Sequence, residues 1–237
     1  MRHLILALVV LAPFGLAAAG APYNAFVTTA DGNGADATIQ QDHSGLGTQS
    51  SIQVRNNQHN THWMKGYLRF DLSKVQPNPK NPPKGRKMMG AQLHLVVSTG
   101  KVALLEKGTF NVFGLKERKD YGQAKLGEDW AEAKLEWNNA PGNEKNRGGG
   151  DYDKGANGTG GANHDQTVFL GTFTVEPQGP GTEVVFASRE LGAFIAEDSN
   201  RSITLIIARA NSHINPWSFA AKESDKFDPP KLSFVMR

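Results

Sequence analysis

Short runs in which hydrophobic and polar residues alternate dominate the chain, and clusters of Gly, Pro, Asn and Asp separate them. In one such run Leu68, Phe70 and Leu72 share a face, and polar residues occupy the other. A period of two is typical of β-strands with one buried face. The strands predicted in this way are Ala37–Gln40, Ser51–Arg55, Lys65–Leu72, Ala91–Ser98, Thr109–Leu115, Thr167–Thr174, Thr182–Phe186, Ser202–Ala210, Trp217–Ala221 and Lys231–Met236.

Strands of this number and length predict an all-β fold, an antiparallel β-sandwich of jelly-roll-like form, over residues 35–237. Helical spacing is limited to Ser188–Glu197, which begins with a serine suited to cap a helix. Two long segments, the Pro- and Lys-rich Gln76–Lys87 and the Gly-rich Asn143–His164, read as connections within the same domain. The residues expected in the core are Leu68, Phe70, Leu93, Leu95, Val112, Leu205 and Ile207.

The first residues, Met1–His3, are basic and precede a short apolar run that ends at Ala17–Ala19. These features are typical of a secretory signal peptide, so residues 1–19 are expected to be removed and 20–34 to form a lead segment. A membrane-spanning helix needs about 20 apolar residues, and no later stretch approaches that length. We therefore expect a secreted protein, extracellular or at the cell surface, that does not span a membrane.

Charge and cysteine content exclude several classes of function. The 237 residues include 26 Lys and Arg against 23 Asp and Glu, a formal net charge of only +3. This balance gives no reason to expect a nucleic-acid partner. The chain has no cysteine, which rules out disulfides, thiolate catalysis and Cys-based zinc sites.

Several motifs resemble one family of carbohydrate-binding domains. Gly66–Ser73 is followed by Trp130–Pro141, and the chain closes with Phe219–Glu223 and Pro229–Leu232; Asp36–Ile39 fits the opening. In this order the motifs are similar to those of DNRLRE-type domains, grouped as carbohydrate-binding module family 96. One departure is an alanine at position 221, where the family usually has serine. The resemblance spans most of 35–235 and implies a jelly-roll sandwich that binds acidic polysaccharides such as alginate.

Basic and aromatic residues are interleaved in the segment 55–65, which is predicted to be a loop. An indole can cover the apolar face of a sugar while Arg or Lys binds a carboxylate, so this pattern suits a uronate-rich ligand. The alternative is an ordinary polar hairpin with Trp63 tucked beneath it. A second loop of similar composition is Arg209–Trp217, with Asn211, His213 and Asn215. The predicted ligand-binding residues are Arg55, His59, His62, Trp63, Lys65 and Arg69.

Some of these residues also have a purely structural interpretation. Arg69 and Asp71 lie on the polar face of a predicted strand, where a cross-strand ion pair competes with a uronate clamp. Trp130 and Trp137 flank a predicted turn, and tryptophans in this setting are usually core residues.

The sequence requires no cofactor, and the metal that it suggests is a structural calcium ion. Asp31, Asn33 and Asp36 place oxygen ligands at a spacing found in calcium loops, without the distal glutamate of an EF-hand. The pair His59 and His62 could hold zinc, although a strand or loop does not preset that spacing.

These observations predict a secreted, non-catalytic carbohydrate-binding module for acidic, uronate-rich polysaccharide, alone or in a cell-surface or matrix assembly. One alternative is a structural surface or matrix protein without a specific glycan. The other is a jelly-roll polysaccharide lyase, with roles for Lys65, His62 and Tyr67. One family of such lyases also has an Arg-x-Glu-x-Arg strand and a Gln-Ile-His or Gln-Val-His strand, and both motifs are missing from this sequence.

Overall fold

The computed structural model describes residues 23–57, 63–75, 88–98, 106–144 and 165–236. These residues form strands, one α-helix, α1 (Arg189–Ala196), and two short 3₁₀ turns at Leu72–Lys74 and Glu132–Lys134. The strands are β1 (Tyr23–Thr28), β2 (Ala35–Gln40), β3 (Ser51–Val54), β4 (Met64–Asp71), β5 (Met88–Val96), β6 (Gly108–Leu115), β7 (Thr167–Val175), β8 (Glu183–Ala187), β9 (Ser202–Arg209), β10 (Trp217–Ala220) and β11 (Lys231–Met236).

Two antiparallel sheets pack face to face and confirm the predicted all-β sandwich. One sheet has the order β2-β4-β9-β6-β7 and the other the order β1-β11-β5-β8. Strands β3 and β10 pair with each other as a two-stranded ribbon. Isolated bridges between Arg55 and Met64, and between Val97 and Phe219, connect this ribbon to β4 and to the end of β5. The ribbon therefore spans the gap between the two sheets.

The main core fills the space between the sheets. All seven residues predicted for it are at most 1% exposed. The inward face of β4 continues with Gly66, where an added Cβ would lie 2.5 Å from Ile52 Cγ2 of the ribbon. Glycine is thus needed at this position because the two strands approach so closely.

A second core lies on the outer face of the five-stranded sheet, under the segment 116–144. Trp130 and Trp137 are 1% and 4% exposed, which confirms that both are core residues. Trp130 Nε1 donates a hydrogen bond to Thr204 Oγ1 (3.2 Å), and the Tyr67 hydroxyl donates to the Pro141 carbonyl oxygen (3.0 Å). Both faces of this sheet are therefore buried.

Strand β1 is the main departure from the predicted order of elements. It lies within the segment 20–34, which was expected to be only a lead, and pairs antiparallel with β11 in the four-stranded sheet. Ala25 and Val27 point into the main core. The sheet therefore begins at Tyr23, before the predicted boundary at residue 35. The signal peptide, Gln76–Lys87 and 145–164 lie outside the described residues.

Helix α1 begins as predicted, with Ser188 as its N-cap. The Ser188 hydroxyl accepts a hydrogen bond from the Leu191 backbone N–H (2.9 Å), and Leu191 and Ile195 pack into the main core. No helix within the described ranges is long and apolar enough to cross a membrane.

Ser188→Ala is expected to lower the free energy of unfolding by about 1 kcal/mol, because the first turn loses a capping acceptor. Urea unfolding followed by circular dichroism measures the change. Ser44→Ala, at an exposed serine between β2 and β3, is the matched control and should leave the free energy of unfolding within about 0.5 kcal/mol of the parent. Equal effects of the two substitutions would contradict the capping role.

Candidate functional site

Two connections between strands meet at one end of the sandwich. The residues after β3 (Arg55–Asn57) and those between β9 and β10 (210–216) lie side by side because β3 pairs with β10. Asn56 joins them. Its carbonyl oxygen accepts a hydrogen bond from the His213 backbone N–H (2.7 Å), and its Nδ2 donates to the Ala210 carbonyl oxygen (3.4 Å). We call this region, formed by residues 55–57, 63, 106–107 and 209–217, the loop end.

Arg209 lies buried at the loop end with no exposed side-chain surface. Its Nη1 donates a hydrogen bond to the Asn215 carbonyl oxygen (3.0 Å), and its Nε donates to Asn211 Oδ1 (3.2 Å). Burial lowers the pKa of Arg209 to about 10, while the nearby Glu106 carboxylate opposes this shift. The guanidinium is therefore charged at neutral pH.

Glu106 and His213 lie beside this arginine and form a short contact. His213 Nδ1 accepts a hydrogen bond from the Asn215 backbone N–H (3.0 Å), so the proton of a neutral ring is on Nε2. Nε2 lies 2.7 Å from Glu106 Oε1 and donates to it. The sequence did not mark Glu106 as a site residue, because no local motif surrounds it and its partners are about 100 positions away.

Arg55 and Trp63 also lie at the loop end, and both side chains are partly buried. Trp63 Nε1 donates a hydrogen bond to the Asn57 carbonyl oxygen (3.0 Å), and its ring lies 6.4 Å from that of Trp137, centroid to centroid. The indole is thus fixed in orientation without being enclosed. This position lies between the two predicted alternatives, an indole that covers a sugar face and an indole tucked beneath a hairpin. His59 and His62 lie outside the described residues.

Lys65 does not take the position expected for an exposed ligand-binding cation. Its side chain is fully buried on the outer face of β4, where Nζ donates a hydrogen bond to Asn143 Oδ1 (2.7 Å). The ammonium also lies 4.6 Å from the ring centroid of Trp137. Burial lowers the pKa of Lys65 to about 7. The structure therefore corrects the prediction that Lys65 faces solvent at the loop.

Arg69 is also part of the architecture. Its Nη1 donates a hydrogen bond to the Trp130 carbonyl oxygen (2.7 Å), its Nε donates to the Asn33 carbonyl oxygen (2.8 Å), and the guanidinium lies over the Trp130 ring at 5.0 Å. These contacts tie the covering segment 116–144 to the sheet. They differ from both predicted roles, the ion pair with a neighbouring strand and the uronate clamp.

The residues of the predicted calcium loop have other partners. Asp31 Oδ2 accepts hydrogen bonds from the Thr28 backbone N–H and hydroxyl (both 2.8 Å). The Asp36 carboxylate is 1% exposed and accepts from Thr29 Oγ1 (2.6 Å). Asn33 contributes backbone contacts to the turn. Across the described ranges, no group of three His, Asp or Glu side chains is placed to hold a metal, so the calcium ion remains a prediction.

The opposite end of the sandwich has a different chemistry. A cavity of about 410 Å³ lies beside α1, where Leu115, Val168, Phe194 and Ile203 supply its apolar wall. Burial, reinforced by the neighbouring Glu117, raises the pKa of Glu128 to about 7. The carboxyl groups lining this cavity belong to Glu117, Glu128, Glu190, Glu197 and Asp198.

Two of the three residues assigned to a lyase are unsuited to those roles. Tyr67 has no exposed surface and its hydroxyl is bonded to the Pro141 carbonyl oxygen, while Lys65 is equally buried. His62 lies outside the described residues.

No family model matches the sequence, and no curated protein matches it. The resemblance to DNRLRE-type domains therefore stays a prediction based on the motifs.

Proposed function

We propose that this protein binds acidic, uronate-rich polysaccharide without cleaving it, and that the loop end is the binding surface. The observation that carries the proposal is the meeting of the two basic and aromatic connections, joined by the Asn56–His213 hydrogen bond. Residues more than 150 positions apart thereby supply cations, an indole and amides to one surface.

The chemistry of the two ends supports this choice of surface. A uronate chain carries a carboxylate on each sugar, so it is attracted by cations and repelled by carboxylates. The loop end has Arg55, Lys107, which forms an ion pair with Glu176 (2.9 Å), and the buried Arg209 beside Glu106. The cavity at the opposite end is lined by five acidic residues. Trp63 adds a partly exposed ring that can cover an apolar sugar face.

The binding test uses alginate and polygalacturonate, with neutral glucan as the comparison. Arg55→Ala is expected to weaken uronate binding roughly fivefold, which corresponds to the loss of about 1 kcal/mol of charge interaction. Isothermal titration calorimetry at two salt concentrations measures it, and the parent should bind more weakly at the higher salt concentration. Lys226→Ala removes an exposed cation from the connection before β11 and is the matched control.

Trp63→Ala tests the stacking surface separately. It should weaken binding, and it should also lower thermal stability because the indole packs against Trp137. Binding of the folded variant measured well below its melting temperature separates the two effects. Unchanged affinity in both Arg55→Ala and Trp63→Ala would place binding elsewhere.

The same samples distinguish the alternative functions. Release of unsaturated uronate, followed by ultraviolet absorbance, would indicate a lyase. Failure of the parent to bind any of the glycans would favour a structural surface or matrix protein.

A further inference from the structure

Two buried hydrogen-bond donors at the loop end have no acceptor among the residues that the structure describes. Arg209 Nη2 and Trp217 Nε1 are both inaccessible and make no hydrogen bond within those ranges, although the rest of each side chain is well packed. Buried donors are nearly always satisfied, because leaving one without a partner costs free energy. An unbonded donor on a charged guanidinium is especially unfavourable, since its desolvation is not compensated.

A carboxylate lies close to the unbonded guanidinium nitrogen without bonding to it. Glu106 Oε2 lies 3.9 Å from Arg209 Nη2, which is too long for a hydrogen bond. The Glu106 side chain is 42% exposed, whereas that of Arg209 has no exposed surface. An exposed carboxylate therefore already extends from solvent to the edge of the buried cation. Its other oxygen is engaged by His213 at 2.7 Å, so Glu106 does not complete the contact with Arg209.

We propose that Arg209 and Trp217 form a subsite for a ligand carboxylate, and that Glu106 occupies its entrance until a uronate displaces it. This inference rests on the proposed function and deepens it, because it assigns the residues that bind the carboxylate of the sugar. A guanidinium edge binds a carboxylate through two parallel hydrogen bonds. Nη2 and the second N–H of Nη1 form that edge, while the bonds from Nη1 to Asn215 and from Nε to Asn211 hold the guanidinium in place. Trp217 follows Asn215 by two residues, and its unbonded indole N–H is the third donor of the proposed subsite.

Glu106 gives the subsite a built-in competitor. It repels an incoming carboxylate, and it must move away before the ligand reaches Nη2. Glu106→Gln removes the repulsion and keeps the shape of the side chain. It is expected to tighten the binding of galacturonate and of polygalacturonate by at least roughly fivefold.

The test follows the indole N–H signals of ¹⁵N-labelled protein during titration with galacturonate, with galactose as the neutral sugar. The chain has four tryptophans, and the Trp217 signal is identified as the one that is lost in Trp217→Phe. Galacturonate should shift the Trp217 signal in the parent, and at lower concentrations in Glu106→Gln. Arg209→Lys keeps the positive charge but removes the guanidinium edge, and it should abolish the shift.

Glu197→Gln is the matched control. It makes the same change of net charge at the residue that follows α1, at the acidic end of the sandwich, and should leave the titration unchanged. Equal affinities of Glu106→Gln and Glu197→Gln would overturn the subsite, as would a Trp217 signal that never moves. If Arg209→Lys fails to fold, the comparison of these two glutamine variants still tests whether the subsite exists.

The outcomes separate the subsite from the proposed function. Polygalacturonate binding with an unmoved Trp217 signal would reject the subsite and leave the proposed function standing. A Trp217 shift with galacturonate, in a protein that binds no polysaccharide, would reject the proposed function and support the subsite. The third titration uses inorganic sulfate. If sulfate shifts the Trp217 signal as much as galacturonate does, the assignment of the subsite to a carboxylate is overturned.

Discussion

Lys65→Met is expected to stabilise the protein below pH 7 and to destabilise it slightly near pH 10. The ordinary pKa of lysine, 10.5, applies to the unfolded chain, whereas burial lowers the pKa of Lys65 in the folded protein to about 7. Between these two values the unfolded chain holds more protons, so the stability of the parent rises with pH. Below about pH 7 the full cost of burying the ammonium opposes folding.

The size of the effect follows from the pKa difference. One pKa unit corresponds to about 1.4 kcal/mol, so the cost at low pH is at most roughly 5 kcal/mol. Methionine has no charge to bury and keeps the chain packed against Trp137. It leaves Asn143 Oδ1 without its donor, which costs about 1 to 3 kcal/mol at every pH. The difference in the free energy of unfolding between variant and parent should therefore change sign as pH rises.

Urea unfolding of both proteins from pH 6 to pH 10 measures this difference. Lys134→Met removes an exposed ammonium from the second 3₁₀ turn and serves as the control for loss of charge alone. A difference between Lys65→Met and the parent that stays constant with pH would show that Lys65 titrates alike in the folded and unfolded chains.

Asp36→Asn should show the opposite dependence in a lower pH range. Burial raises the pKa of Asp36 from 3.8 to about 7, although hydrogen bonds from Thr29 and Lys222 oppose the shift. The folded protein thus holds an extra proton between these values. The stability that this proton provides is complete below pH 3.8 and is lost as pH rises through about 7.

The geometry of the carboxyl group suits asparagine. Asp36 Oδ2 accepts hydrogen bonds from Thr29 Oγ1 (2.6 Å) and the Lys222 backbone N–H (3.0 Å), whereas Oδ1 is buried without a partner in the described part of the chain. Asparagine can keep the accepting oxygen and removes the buried negative charge. The variant should be close to the parent in stability near pH 4 and more stable at pH 8, by at most roughly 4 kcal/mol.

Thermal and urea unfolding at pH 4, 6 and 8 provide the comparison. Asp225→Asn, at an exposed carboxylate in the connection between β10 and β11, makes the same change of charge outside the core. If Asp36→Asn loses stability relative to the parent as pH rises from 4 to 8, the Asp36 carboxylate is stabilised rather than penalised by its surroundings.

The period-two pattern identified the strands that face the main core because those strands alternate clearly. Leu68 and Phe70 on β4, and Leu205 and Ile207 on β9, are buried between the sheets as predicted. Strand β1 was missed because its inward residues, Ala25 and Val27, give only two apolar positions. It becomes a strand by pairing with β11, and that pairing joins residues about 200 positions apart.

The loop end was predicted only as two separate segments. Basic and aromatic composition marked 55–65 and 209–217, but nothing in either segment indicated that they are neighbours. Their proximity depends on the register of β3 with β10 and on the Asn56–His213 hydrogen bond. Glu106 joins the same surface from a third part of the chain.

The sequence by itself determined which residues of each strand share a face, where α1 begins, and that Trp130 and Trp137 are core residues. Local alternation and capping chemistry are sufficient for those conclusions. Whether the second face of the five-stranded sheet meets solvent or protein was decided by the tertiary structure. The segment 116–144 folds over that face and buries Lys65 and Tyr67, which the strand pattern alone places on a polar side. Burial depends on which distant segment covers a face, and a period of two carries no information about that segment.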